Sequence, residues 1–209
     1  SLDAHQAELV GISLSTKIGK ACYIPISHRS KGNIKKEQVL KKLKPLLEDK
    51  SVKKIGQNIK FDFIILYKQG IKMNSMEDTM LMSYVLDAGK NRHNMDTLSE
   101  IHLSHKTIAF QDMVGTGKKK INFSEVEIIK AMEYAAEDAD ITYRLYKIFN
   151  ENLKTEKLTN IYEIFEKPLI EILAFMEIEG IKIDSKFLKN LSLKFEKKIQ
   201  NLEKQIFKI

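Results

Sequence analysis

Two aspartates have no residue of opposite charge three or four positions away, although the 209-residue chain carries 35 lysines and arginines. Asp138 has Tyr134, Ala135, Ile141 and Thr142 three and four residues away. Asp62 has Asn58, Ile59, Ile65 and Leu66, with Phe61 and Phe63 beside it. A carboxylate among apolar neighbours is costly unless something outside its helix compensates it. A divalent metal ion would do so. A lysine from a distant segment would serve as well. Tyr134 precedes Asp138 by one turn, so its hydroxyl and that carboxylate project from one face. Asp140, by contrast, has Arg144 four residues on and is explained as an intrahelical pair.

Other chemistries are poorly supplied. His102 and His105 have no cysteine or acidic residue at zinc-ligand spacing, and His5, His28 and His93 are expected on loops or the surface. No Ser-His-Asp or P-loop pattern is found. Cys22 is the only cysteine; it sits in the apolar run ACYIPI and is expected to fill the core, which excludes a disulfide framework. No apolar run approaches the ~20 residues that span a bilayer, and the N-terminus lacks a signal-peptide pattern, so a soluble, cytoplasmic protein is expected. The net charge of +7 suits a polyanionic partner. An AT-rich coding bias would explain the same lysine excess.

These residues need elements to hold them. Residues 8–15 and 20–26 alternate as two strands around a turn at 16–19. A helix is predicted over 35–48, kinked or divided by Pro45. A short strand over 52–55 leads to Asn58, which can cap a helix ending at Gly70. Short helices follow at 78–86, 95–103 and 107–114. Lys118, Lys119 and Lys120 after Gly117 form a basic loop. Ser124 and Glu127 make a capping box that opens a long helix to about Phe149. From Leu158 the pattern is helical, with one helix to Glu179, a stop at Gly180, and Ser185 capping a last helix. Its apolar residues Leu188, Leu191, Phe195, Ile199, Leu202 and Ile206 form a stripe. The order argues for an α/β fold with a mixed sheet.

The segment KIGQNIKFD at 54–62 resembles the second exonuclease motif of proofreading polymerases, and YAAEDAD at 134–140 the third, of the form Y-x-x-x-D. CYIPISH, LKKLKPLLED, EDTMLMSYVL, RHNMDTLSE, SHKTIAF and EKPLIEILAFMEIEGIKID are similar, in the same order, to the rest of that family, the 3′→5′ exonuclease domains of bacterial family A DNA polymerases. The resemblance implies a ribonuclease-H-like fold and hydrolysis of the 3′-terminal phosphodiester of DNA with two divalent ions, Mg²⁺ or Mn²⁺. Asp138 would hold the ion that activates water, Asp62 would serve the second, and Tyr134 would orient the water. Leu2 and Phe110 match residues that wedge against terminal bases. Gln57, Asn58 and Arg92 match strand contacts, and Phe61 replaces a tyrosine common in the family. Without the resemblance, Phe61 and Phe110 read as core aromatics.

In the family, S-L-D follows a strand ending in D-x-E, whose carboxylates also ligate the metals, whereas here Ser1 is the first residue. The expectation is a proofreading domain over 1–157 without its central first strand, impaired by itself, and the opening helices of a polymerase domain over 158–209. Expected partners are a single-stranded or frayed DNA 3′ end, the remainder of a polymerase chain, and a second copy docking on the last helix. Two rivals remain: a non-catalytic structural module of a polymerase, and an RNA-trimming exonuclease of the same superfamily, which the polymerase-like tail disfavours.

Overall fold

The computed structural model describes residues 3–117 and 120–207. The chain divides into two compact units, Ser1–Ile178 and Glu179–Ile209. In the first unit, strands β1 (Gly11–Lys17) and β2 (Lys20–Pro25) form an antiparallel hairpin. Gly19 takes a left-handed φ of 73° at its tip, a conformation glycine adopts without steric cost. Helix α1 (Lys36–Glu48) runs unbroken through Pro45. The proline sits in the last turn, where its missing N–H removes a single bond and the Asp49 N–H still reaches the Pro45 carbonyl at 3.1 Å.

Strands β3 (Lys54–Gly56) and β4 (Met76–Asp78) pair in parallel. Helix α2 (Ile59–Lys68) makes the crossover that parallel pairing requires. Periodicity does not announce β4, because a three-residue strand buried on both faces has no alternation to read. The α/β class is as expected, and among the described residues the strands make two pairs, one antiparallel and one parallel. Helices α3 (Thr79–Asp87), α4 (Met95–Leu103) and α5 (Phe110–Val114) lead to α6 (Ile128–Thr155). At 28 residues, α6 is about 42 Å long and contacts both strand pairs. The short helix α7 (Thr159–Ile161) continues through a π-helical turn at Tyr162–Glu166 into α8 (Lys167–Glu179), instead of one uniform helix.

Three cores hold this unit. Phe63, Ile64 and Leu66 of α2 meet Leu47, Ile71, Met73 and, from α8, Ile170 and Ala174. Ile141, Leu145 and Phe149 of α6 meet Met82, Leu98 and Tyr162. Val114, Val126 and Ala131 form a third, smaller core, against which Tyr23, Met113 and Phe123 pack. Glu77, 1 % exposed, ties the first two together by accepting from Lys167 at 2.8 Å and from the Tyr162 hydroxyl at 3.1 Å.

Several local expectations change. The capping box before α6 uses Asn122 and Glu125, around a 3₁₀ turn at Phe123–Glu125, and not Ser124 with Glu127. Cys22 is exposed, because its position on β2 faces away from the core. His28 lies on a loop, as expected, but is 6 % exposed there, held by the Tyr23 hydroxyl at 2.7 Å and the Val126 carbonyl at 3.1 Å. In the second unit α9 (Ser185–Ile206) is capped by Asp184, which accepts from the Phe187 N–H, and not by Ser185.

Candidate active site

Asp62 stands on the first turn of α2, and Asp78 determines where that helix begins. Asp78, 1 % exposed, accepts the N–H groups of Asn58 at 3.0 Å, Ile59 at 2.9 Å and Met80 at 2.9 Å. One carboxylate thus caps both α2 and α3, satisfying donors that would otherwise be orphaned. Asn58 takes a left-handed φ of 58° and gives no side-chain cap, contrary to the sequence-based reading. Its side chain is exposed. Gly56 lets β3 turn closely onto this helix, since a Cβ there would lie 2.8 Å from Cγ1 of Ile59.

Asp62 is exposed by accessible surface, yet the chain crowds around it. Surface decides whether an ion can reach the carboxylate; crowding decides how poorly water solvates it. That desolvation, with the nearby Asp78 charge, pushes Asp62 up to about 7. Phe61 packs partly buried against the first core. Gln57 is spent internally. Its amide donates to the His93 carbonyl at 2.7 Å, and its oxygen accepts from the Thr79 hydroxyl. Gln57 therefore fastens the segment that carries Arg92, whose own side chain is exposed.

On α6, Tyr134 and Asp138 meet one turn apart as the spacing implied. Their interaction lowers Asp138 and raises Tyr134. Desolvation of the half-buried Asp138 dominates, and with the charges of Glu137 and Asp96 pushes it up to about 7. Tyr134 is pushed well above the ordinary tyrosine range, chiefly by burial, so its hydroxyl stays protonated. Glu137 accepts from Nε2 of His105 and from the Ile108 N–H, both at 2.7 Å, while Asp96 accepts from the Thr107 hydroxyl at 2.7 Å. These bonds order the segment that delivers Phe110. Phe110 is 44 % exposed and stacks on Phe123 at 5.9 Å, with Tyr134 6.0 Å away. Sequence reasoning named Phe110 and missed Phe123, which lies in a turn without helical periodicity.

Among the described residues no cation figures in the groups acting on Asp62 or Asp138. The charges acting on the two differ: Asp78 on the first, Glu137 and Asp96 on the second. Among the described residues no group of three or more His, Cys, Asp or Glu side chains is placed to hold a metal ion. The donors nevertheless fit a hard cation in kind, since Mg²⁺ is commonly held by one or two carboxylates, with water and substrate phosphate completing its shell. Arg144 pairs with Asp140 at 2.7 Å, and Asp140 also receives the Gly19 N–H at 2.7 Å. His105 is engaged by Glu137, and His102 packs edge-on to Phe149 at 4.9 Å, leaving no zinc pair. Leu2, Lys118 and Lys119 lie outside the described residues.

A family model described as 3′-5′ exonuclease matches residues 1–154. The chain belongs to that family. DNA polymerase I of Rhizobium leguminosarum is 43% identical over 228 residues, covering 99% of this chain and 22% of the relative. The Pseudomonas aeruginosa enzyme is 39% identical with 99% and 23% covered, and that of Borreliella burgdorferi 36% with 100% and 22%. The chain thus spans about a fifth of the length of these curated relatives. In fold it is similar to the POL domain of Pol1 from M. smegmatis in complex with DNA primer-template and dNTP (TM-score 0.67, 19% identity, 88% of this chain and 28% of that one). It is also similar to Brucella melitensis NrnC bound to pGG (0.65, 22%, 88% and 85%). That protein is also solved with bound Mg²⁺. No described helix is long and apolar enough to cross a membrane.

Proposed function

We propose that the chain removes nucleotides from single-stranded or frayed 3′ ends of DNA as the proofreading domain, residues 1–157, of a DNA polymerase I, with Asp62 and Asp138 holding two divalent ions, Mg²⁺ or Mn²⁺. One observation carries this reading: among the described residues no cation acts on the partly buried Asp138 carboxylate, which is faced by the protonated Tyr134 hydroxyl and bordered by an exposed aromatic ring. Bound divalent ions would supply Lewis-acid activation of water and stabilise the leaving oxygen. The Tyr134 hydroxyl has a proton to donate and a fixed neighbour in Asp138, which suits it to orient an attacking water. Phe110 offers apolar surface to an unpaired base without reading its identity, as an editor of every mismatch requires, and the motif resemblance gives Leu2 the same role. Asn58 and Arg92 are exposed and free to contact the strand. Gln57 contributes by holding the Arg92 segment, and Phe61 mainly by packing.

The test is the degradation of single-stranded DNA with Mg²⁺ or Mn²⁺ by a chain extended upstream through a D-x-E segment of the family, in which Asp138→Ala should lower the rate at least about 100-fold. An active Asp138→Ala variant would refute the assignment. Parallel RNA substrates test the RNA-trimming rival, and inactivity of the extended chain would favour the structural module. Residues 158–209 are assigned to the start of a polymerase domain, in a bacterial cytoplasmic enzyme. In the separate chain, the apolar stripe of α9 would dock on a second copy.

A further inference from the structure

Phe110, Phe123 and Tyr134 come from three different elements, yet their rings form a nearly equilateral cluster. The centroid distances are 5.9 Å for Phe110 and Phe123, 5.9 Å for Phe123 and Tyr134, and 6.0 Å for Phe110 and Tyr134. Phe110 and Phe123 lie 22° from parallel, whereas Tyr134 is turned 61° to Phe123. Offset stacking and edge contacts of this kind favour defined ring orientations, because the negative ring face attracts a positive edge. Phe123 is the inner member. It packs on the third core, and the His28 ring lies 5.9 Å away.

The turn bearing Phe123 is itself fastened at several points. Asn122 and Glu125 cap each other, the Arg29 guanidinium pairs with Glu125 at 2.5 Å, the Arg29 N–H donates to Ser124 at 2.8 Å, and His28 reaches the Val126 carbonyl at 3.1 Å. These ties bind Phe123 to the β2–α1 connection and leave Phe110, on a five-residue helix, to take its orientation from the ring beneath.

We infer that Phe123 is a positioning residue that sets the tilt of Phe110 and Tyr134, so that the terminal unpaired base stacks on Phe110 beside the Tyr134 hydroxyl. The inference rests on the DNA 3′-end reading above. It adds that a residue without substrate contact controls how the last base is seated. An aromatic ring is required at 123, because an aliphatic side chain fills the volume but has no quadrupole to orient its neighbours.

The test uses the full chain with a chelator and single-stranded oligodeoxynucleotides bearing 2-aminopurine either at the 3′ terminus or internally. Fluorescence quenching reports base stacking, and the anisotropy of a 5′ dye reports overall binding. In Phe123→Leu, overall binding should change little and the internal probe should not respond, while the stacking equilibrium of the terminal base falls about fivefold or more. Phe110→Ala should show the same loss. The double variant should be no worse than Phe110→Ala, because Phe123 acts through Phe110. Wild-type terminal quenching in a folded Phe123→Leu chain, or losses that simply add, would overturn the inference alone. A wild-type chain that binds no oligonucleotide overturns the DNA reading and this inference with it. Phe123→Met is the second variant should Phe123→Leu not fold. If neither folds, Phe123 is a core residue and the positioning role is rejected.

Discussion

Asp62 and Asp138 are both raised on folding, to about 7 in each case, mainly by desolvation. An acid raised in this way favours folding below its unfolded value of about 3.9 and loses that contribution as the pH climbs through the folded value. The metal-free chain is therefore expected to lose stability between pH 4 and pH 7 from these two groups, which thermal melting across that range would detect. A divalent ion must displace their protons, so its affinity should strengthen with pH up to about 7. Calorimetry in buffers of different ionisation enthalpy would report that release. Asp138→Asn should stabilise the metal-free chain at pH 8 by on the order of 1 kcal/mol, allowing for the partial solvent contact of the carboxylate. In an upstream-extended chain the same substitution should abolish nuclease activity. A fall in melting temperature at pH 8 would show that Asp138 has a compensating partner.

At the scale of elements, Asp78 joins β4, α2 and α3 at one point, and that point aims Asp62. Removing its carboxylate leaves the Asn58, Ile59 and Met80 N–H groups without acceptors in a place water hardly reaches. Asp78→Ala is expected to cost about 3 kcal/mol of stability, a lost double cap with buried donors left over. The urea midpoint should fall accordingly, with the m-value unchanged. A shift under about 0.5 kcal/mol would mean that the helix starts are held by other contacts. Gly56→Ala should also destabilise, since Ile59 would have to move to admit the methyl.

For the molecule as a whole, the second unit is the part whose own residues do not bury its apolar side chains. Leu188, Leu191, Phe195 and Ile199 border a shallow hollow along α9. An apolar stripe of this length drives association, each large side chain being worth about 1.5–3 kcal/mol when fully buried. Sedimentation should show self-association of the intact chain, weakened in one ending at Gly180. Identical sedimentation of both as monomers would argue against a second copy as the occupant.

The sequence by itself determined the residues whose environment depends on near neighbours. The meeting of Tyr134 with Asp138, the Asp140 to Arg144 pair, the hairpin and the span of α4 all follow from spacing along one element, where geometry is regular. The ribonuclease-H-like fold was legible through the motif resemblance. Only the tertiary structure decided what depends on distant segments meeting. It gave the capping of α2 to Asp78 instead of Asn58, spent Gln57 on His93, buried His28, exposed Cys22, and placed Phe123 under Phe110. The physical reason is common to all five. A buried donor, a buried ring or an exposed thiol is settled by which surface packs opposite it, and partners tens of residues away leave no periodic trace in the chain.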